Sequence, residues 1–130
     1  MVRKIEADLI MAIREGKRFA KQNTTYDPET GDVFLHQNRI FNTKQPGFTL
    51  AGWNTVTTRS RVNALLYEFK PDGLRPSVVQ RNHSPWLILW DRHSDQRRRY
   101  AIGDSEWIPI PETWEGWIVS EIDRETEVDK

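Results

Sequence analysis

The sequence predicts an α+β fold with two helices, a small, mainly antiparallel sheet of five to six strands and an irregular acidic C-terminal segment. Three observations predict this class. Apolar residues recur at helical spacing in two separate stretches of the chain. Short apolar runs between turn-forming residues indicate strands that are joined as hairpins. The strands follow each helix in groups rather than alternating singly with helices, which favours antiparallel pairing.

The N-terminal stretch, 2–21, is predicted to be an amphipathic helix. Gly16 is a poor helix former, so the helix either ends near it or continues to about Lys21. Because Glu6 and Asp8 interrupt the apolar residues, this stretch is not expected to be a secretory signal. The apolar stripe consists of Val2, Ile5, Leu9, Ala12, Ile13 and Ala20.

Region 24–53 is predicted to contain β-hairpins. Two short runs, 33–36 and 39–42, flank a Gln-Asn dipeptide, which predicts a tight turn between two strands. A Pro-Gly pair then precedes a third predicted strand, 48–53.

A second helix is predicted over 57–69. Either Thr57 or Thr58 is expected to supply the N-cap hydroxyl that accepts a free amide of the first turn. A Pro-Asp-Gly sequence ends the helix. Its apolar face consists of Val62, Leu65, Leu66 and Phe69.

Region 77–102 is predicted to form a second set of hairpins, in which the apolar run 85–90 has the length of a buried strand.

The Trp-rich segment 103–119 is expected to be extended, because its prolines bias the preceding residues away from helix. Together, residues 1–119 are predicted to be a single domain. The acidic tail, 120–130, is expected to be flexible, because it is charged and nearly free of apolar residues.

Composition narrows the class of protein. The net charge is zero, but residues 1–99 contain 17 basic and 10 acidic residues, whereas residues 104–130 contain 2 basic and 9 acidic residues. The asymmetry indicates either a solvated acidic end or an interaction surface.

The absence of cysteine excludes disulfides and thiolate metal sites and suits a reducing cytoplasm. No apolar run approaches the roughly 20 residues that span a bilayer, so no membrane contact is expected.

Three segments of the chain carry a family resemblance. The most specific is AGWNTVTTRSRVNALL at 51–66; the others are VFLHQNRI at 33–40 and VQR at 79–81, followed by WLIL at 86–89. They resemble a group of small, uncharacterised proteins of tailed bacteriophages. The resemblance implies a phage-encoded protein that acts in the host bacterial cytoplasm, and it implies no catalytic residue and no cofactor. The N-terminal helix and the acidic end look particular to this chain.

Two arginines at the start of the second helix, Arg59 and Arg61, are candidates for anion binding. Free amides, the positive end of the helix dipole and two guanidinium groups suit a phosphate or carboxylate. The alternative is that the arginines cover apolar neighbours or pair with acids. Arg59 lies near the edge of the apolar stripe, so Arg61 is expected to be the freer of the two.

A second basic cluster suggests nucleic-acid binding, with Trp86, Trp90 or Tyr100 available for stacking on bases. Strand alternation would place Arg97 and Arg99 on one face and Arg98 on the other. The alternative is a charged hairpin that discourages edge pairing. The pI of 6.8 is also well below the value of about 9 that is typical of dedicated binders. The cluster comprises Arg81, Arg92, Arg97, Arg98 and Arg99.

Three tryptophans, Trp107, Trp114 and Trp117, lie in the acidic end and are candidates for contact with a partner. They could equally fold back on the domain. The leading hypothesis is a non-enzymatic protein that binds and modulates a host bacterial protein or defence complex, and the alternative is a nucleic-acid-binding accessory protein.

Catalysis has little support in the sequence. The three histidines lack metal-ligand spacing, and no glycine-rich phosphate loop is present. A magnesium site could be assembled only from distant carboxylates such as Asp91, Asp95 and Asp104, so a metal-dependent hydrolase is a distant alternative. The chain is therefore predicted not to be an enzyme and to use no metal or cofactor.

Overall fold

The computed structural model describes residues 3–113 and 126–129 and confirms the α+β class. The described residues form two helices, α1 (Lys4–Glu15) and α2 (Val56–Phe69). The strands are β1 (Phe19–Lys21), β2 (Thr24–Tyr26), β3 (Asp32–Leu35), β4 (Asn38–Asn42), β5 (Gly47–Phe48), β6 (Leu74–Arg81), β7 (Ser84–Asp91), β8 (Gln96–Ala101), β9 (Ile108–Pro109) and β10 (Thr126–Asp129).

The strands form two antiparallel sheets rather than the one predicted sheet of five to six strands. The six-stranded sheet has the order β1-β2-β3-β4-β5-β9, and the four-stranded sheet has the order β10-β8-β7-β6. The predicted third strand, 48–53, is also shorter, because Ala51 and Gly52 adopt left-handed φ values of 54° and 83°. The chain therefore leaves the first sheet before it enters α2, and β6 starts a new sheet.

Helix α1 ends at Glu15, which confirms the predicted end near Gly16 and excludes the longer helix over 2–21. Gly16 adopts a left-handed φ of 66°, and the N–H of Lys17 reaches back to the carbonyl of Ala12 at 2.9 Å. This arrangement closes the last turn of a helix and reverses the chain. Residues 19–21 consequently form β1 instead of extending the helix.

Two tight turns connect the longer hairpins, and each contains two residues with positive φ. His36 and Gln37, with φ of 51° and 70°, join β3 to β4, one residue earlier than predicted. Asn82 and His83, with φ of 51° and 65°, join β6 to β7. Two-residue turns of this type match the right-handed twist of antiparallel strands.

The hydrophobic core is one continuous cluster that includes α1, α2 and both sheets. The predicted apolar face of α2 is confirmed, since Val62, Leu65 and Leu66 are fully buried. Phe69 lies at the margin of the cluster, where its ring centroid is 5.1 Å from that of Phe41. Helix α2 therefore links the two sheets through its apolar face.

The C-terminal end differs from the prediction where the structure describes it. Residues 126–129, expected to be part of a flexible tail, form β10 and pair with β8 in an antiparallel register. The backbone of β8 would otherwise present an unpaired edge on that side. Residues 120–125 and residue 130 of the predicted tail lie outside the described part of the chain.

Candidate functional site

The N-cap of α2 is Thr55, and not Thr57 or Thr58 as predicted. The Oγ1 atom of Thr55 accepts the backbone N–H of Thr58 at 3.1 Å and lies 3.0 Å from the Thr58 Oγ1 atom. The helix starts one residue earlier than the predicted 57–69. The hydroxyl of Thr55 reaches the third residue of the helix, which is the usual capping geometry. Part of the hydrogen-bonding capacity of the first turn is thus used within the chain.

Arg61 is a buried residue, so the expectation that it is freer than Arg59 is wrong. Its Nη1 atom lies 2.7 Å from the Glu6 Oε2 atom of α1, and its Nε atom donates to the Thr24 Oγ1 atom of β2 at 3.1 Å. The side chains of Arg61 and Glu6 are only 4% and 2% exposed. Ser60 donates to the same Glu6 oxygen at 2.6 Å. This polar network connects α1, α2 and β2, and it leaves Arg61 unable to meet a ligand at the surface.

Arg14 and Glu68 form a second connection between the helices, at distances of 2.8 and 2.6 Å. The hydrogen bonds with Glu68 raise the pKa of Arg14. Glu6 contacts the start of α2 and Arg14 contacts its end, so the two helices run in the same direction. These contacts fix α1 beside α2.

Asn63 of α2 covers the outer edge of β6. Its Nδ2 atom donates to the carbonyl of Val78 at 3.0 Å, and its Oδ1 atom accepts the N–H of Val78 at 2.7 Å. Pro76, two residues earlier on the same edge, has no N–H to donate. The middle of this edge strand is therefore closed to pairing with the backbone of another chain.

A groove of about 800 Å³ lies between α2 and β6, and it is called the α2 groove below. Arg59 lies on its wall, where its Nη1 atom donates to Asn54 and, at 2.9 Å, to the Oε1 atom of Gln80. Arg59 thus belongs to the surface, whereas Arg61 does not. The apolar side chains of the lining are Val56, Ala64, Tyr67, Pro76, Val78 and Val79.

Three large apolar side chains on or beside α2 are exposed to solvent. Val56 is 64% exposed, Tyr67 is 62% exposed, and Trp53, just before the helix, is 59% exposed. Val56 and Tyr67 line the α2 groove, whereas Trp53 lines a neighbouring pocket of about 560 Å³. Sequence reasoning did not single out any of the three as contact residues.

A family model described as Kyanoviridae Gp96 protein matches residues 2–107. The chain belongs to this phage protein family. The predicted resemblance to phage proteins is confirmed. The match includes α1, so the expectation that the N-terminal helix is particular to this chain is wrong. The inclusion of α1 in the family match has a physical reason: Glu6 of α1 is the buried partner of Arg61 in the AGWNTVTTRSRVNALL segment. No curated protein and no solved structure matches the chain.

In this Kyanoviridae Gp96 family member, the polar residues of that segment mostly serve the fold. Thr55 caps α2, Ser60 and Arg61 hold Glu6, and Asn63 covers β6, as described above. The segment therefore identifies the family through its packing. Its surface-exposed residues, rather than its arginine pair, are the candidates for function.

The predicted basic cluster is divided between two faces of the four-stranded sheet. Arg97 and Arg99 point away from the core side on which Tyr100 is buried, whereas Arg98 shares the Tyr100 side, as alternation predicts. Burial raises the pKa of Tyr100, and the positive charge of Arg98 partly opposes that rise. Arg81 and Arg92 are exposed, at the end of β6 and in the turn after β7.

The sheet face opposite the core, called the outer face below, brings Arg97 together with an arginine that sequence reasoning missed. The strand register aligns Arg75 of β6, Trp90 of β7 and Arg97 of β8 in one row. Each guanidinium carbon lies 5.5 Å from the Trp90 ring. Strand alternation could have identified Arg75 from the sequence, because it places Arg75 on the same face of β6 as Arg81.

Trp107 packs within the chain. A Cβ atom at Gly47 would lie 2.6 Å from the Trp107 ring, and the Arg39 guanidinium lies 4.6 Å from the ring centroid on another side. The adjacent residues form β9, which confirms an extended chain there. Trp107 is therefore a packing residue in the described structure, while Trp114 and Trp117 lie outside the described residues.

The residues proposed for metal chemistry show no shared site in the described structure. No group of three or more His, Asp or Glu side chains that could hold a metal ion occurs within residues 3–113 and 126–129. Asp91 accepts hydrogen bonds from the Ser94 hydroxyl and the His93 N–H, which lower its pKa and keep it ionised. No helix in the described part of the chain is long and apolar enough to cross a membrane.

Proposed function

We propose that this phage protein binds and modulates a host bacterial protein or defence complex in the host cytoplasm, without catalysis. The observation that carries the proposal is the group of exposed apolar side chains at α2: Trp53, Val56 and Tyr67. Exposed apolar residues that gather around a groove are typical of protein-binding sites, whereas scattered ones are ordinary surface residues. Membership of a phage protein family supports the proposal that the partner comes from a bacterial host.

The chemistry of the α2 groove favours a partner segment that has apolar anchors and an acidic residue. The walls are largely apolar, and Arg3 and Arg59 supply positive charge. Tyrosine and arginine are common among the residues that dominate binding energy at interfaces. Because Asn63 and Pro76 close the edge of β6, side chains rather than added backbone pairing must provide the binding energy.

Affinity purification from bacterial lysate tests the proposal. The tagged protein is expected to retain a host protein in stoichiometric amount after nuclease treatment. A double substitution, Val56→Ser with Tyr67→Ser, should reduce recovery about tenfold or more, because each removes an exposed apolar contact of the kind that contributes 1–2 kcal/mol at an interface. Both positions are exposed, so the fold should change little in stability.

Met11→Ser is the matched control, since Met11 is 50% exposed on α1 and does not line the α2 groove. It should leave recovery within about twofold of the unsubstituted protein. Recovery of no host protein above background, or equal recovery with the double variant, would contradict the proposal.

A further inference from the structure

The outer face of the four-stranded sheet combines aromatic and cationic groups in a fixed arrangement. The Trp90 indole is held by three neighbours: its Nε1 atom donates to the Asp95 Oδ1 atom at 2.9 Å, and Arg75 and Arg97 lie on either side in the strand register. The ring therefore has a set orientation before any ligand arrives. Preorganisation of this kind reduces the entropy that binding costs.

A second tryptophan extends this arrangement along β7. Trp86 lies on the same face as Trp90, opposite Val79 of β6 and Ala101 of β8. Four residues of strand separate the two indoles, which corresponds to about 13 Å at the usual rise per residue. Ile88 lies between them, so an aromatic and apolar strip runs along the centre of the outer face.

Arginines border this strip. Arg75 and Arg97 are exposed beside Trp90, and Arg81 is exposed at the far end of β6, near the Trp86 end of the strip. Two carboxylates are engaged in the hairpin turn, where Asp95 accepts the Trp90 N–H and Asp91 accepts Ser94 and His93. The register of β10 places Asp129 opposite Arg97 and Glu127 opposite Arg99. Arg75 and Arg81 of β6 lie opposite Trp90 and Ser84 instead, so these two exposed cations are available to a ligand that carries regularly spaced negative charge.

We propose that the outer face binds single-stranded nucleic acid, with bases stacked at Trp86 and Trp90 and phosphates paired with Arg75 and Arg81. Charge complementarity and the two indoles carry this choice of ligand. Sheet faces that bear aromatic side chains bind unstacked bases, and a cationic border follows the backbone. A duplex is a poorer fit, because its bases are stacked on one another and not presented to a flat surface. This activity is independent of the α2 groove.

Fluorescence anisotropy with labelled oligo(dT) and oligo(rU) tests the proposal, and a duplex of equal length serves as the comparison. At a low salt concentration of about 50 mM, one or both single strands should bind at least tenfold more tightly than the duplex. The double substitution Arg75→Gln with Arg81→Gln should reduce the salt slope of the affinity by about 1.4, since each phosphate contact on a single strand contributes about 0.7. Arg18→Gln is the control, because Arg18 is an exposed arginine just before β1, in the other sheet.

The stacking contact has its own matched pair of variants. Trp90→Leu should weaken binding about tenfold, within the range expected for one stacked base, while Trp90→Phe should retain most of the affinity. Trp53→Leu should leave it unchanged, because Trp53 is exposed at a different surface. Thermal unfolding of each variant shows that the fold is intact.

Three results would overturn the proposal: no binding at low salt, equal affinity for the duplex, or an arginine double variant that binds as Arg18→Gln does. Loss of binding in Trp53→Leu equal to the loss in Trp90→Leu would also overturn it, because it would place the nucleic acid elsewhere.

Discussion

Glu6 and Arg61 are the charged residues on which the helical layer depends most. Both side chains are almost inaccessible to water, and Ser60 and Thr24 complete their hydrogen bonds. A buried pair of this kind adds little net stability relative to an apolar pair, but removing one partner leaves an uncompensated charge. The pair therefore makes the fold sensitive to either single substitution.

Glu6→Gln is expected to lower the free energy of unfolding by about 3–5 kcal/mol, because the guanidinium of Arg61 loses its buried counter-charge. Arg14→Gln breaks the other ion pair between the same helices, but the Arg14 side chain is 59% exposed, so its loss should cost no more than about 1 kcal/mol. Urea unfolding of both variants measures the difference. Equal losses in the two variants would show that the Glu6–Arg61 pair carries no special energetic role.

The roles of single arginines were the hardest feature to predict from sequence. Periodicity separated Arg59 from Arg61 only by their angle around α2, and it gave the wrong order of exposure. The deciding contact lies 55 residues away, at Glu6, and local patterns carry no information about such a partner. Strand alternation, by contrast, correctly separated Arg98 from Arg97 and Arg99, because the alternation of strand faces is a local property.

At the scale of the element, the start of α2 is set by one hydroxyl. Thr55→Ala should lower the free energy of unfolding by about 1 kcal/mol, the usual cost of losing an N-cap side chain. Thr57→Ala should change it by less than about 0.5 kcal/mol, since Thr57 lies inside the first turn and provides no cap. Chemical denaturation of both variants decides which threonine caps the helix, and a larger effect at Thr57 would contradict the assignment.

The longer elements were predictable because their signals are local. The buried face of α2 follows from helical spacing, and the hairpin of β6 and β7 follows from apolar runs around a polar turn. The division into two sheets was not predictable. It depends on the left-handed φ values of Ala51 and Gly52, where the chain leaves the first sheet. The pairing of β5 with β9, two-residue strands about 60 positions apart, was not predictable either, because no local pattern indicates it.

At the scale of the whole molecule, one core serves both sheets, and α2 lies between them in the chain and in the packing. The prediction of a single domain over 1–119 therefore has a direct test. Thermal or urea unfolding followed by tryptophan fluorescence and by far-ultraviolet circular dichroism should give coincident transitions, as expected for a two-state domain of this size.

The two signals report different parts of the molecule, which makes the comparison informative. Trp86 and Trp90 lie in the four-stranded sheet, and Trp107 packs beside the six-stranded sheet, whereas circular dichroism follows the helices as well. Two separate midpoints would show that the sheets unfold independently and would contradict the single domain.

The contact between Glu6 and Arg61 also has a consequence for the order of events on the ribosome. Glu6 is made before Arg61, and 55 positions of sequence separate the two residues. At a synthesis rate of about 5–20 residues per second, Arg61 is added roughly 3–11 s after Glu6. Helix α1 consequently cannot dock in its final place before α2 has been translated, and assembly of the domain must await that step.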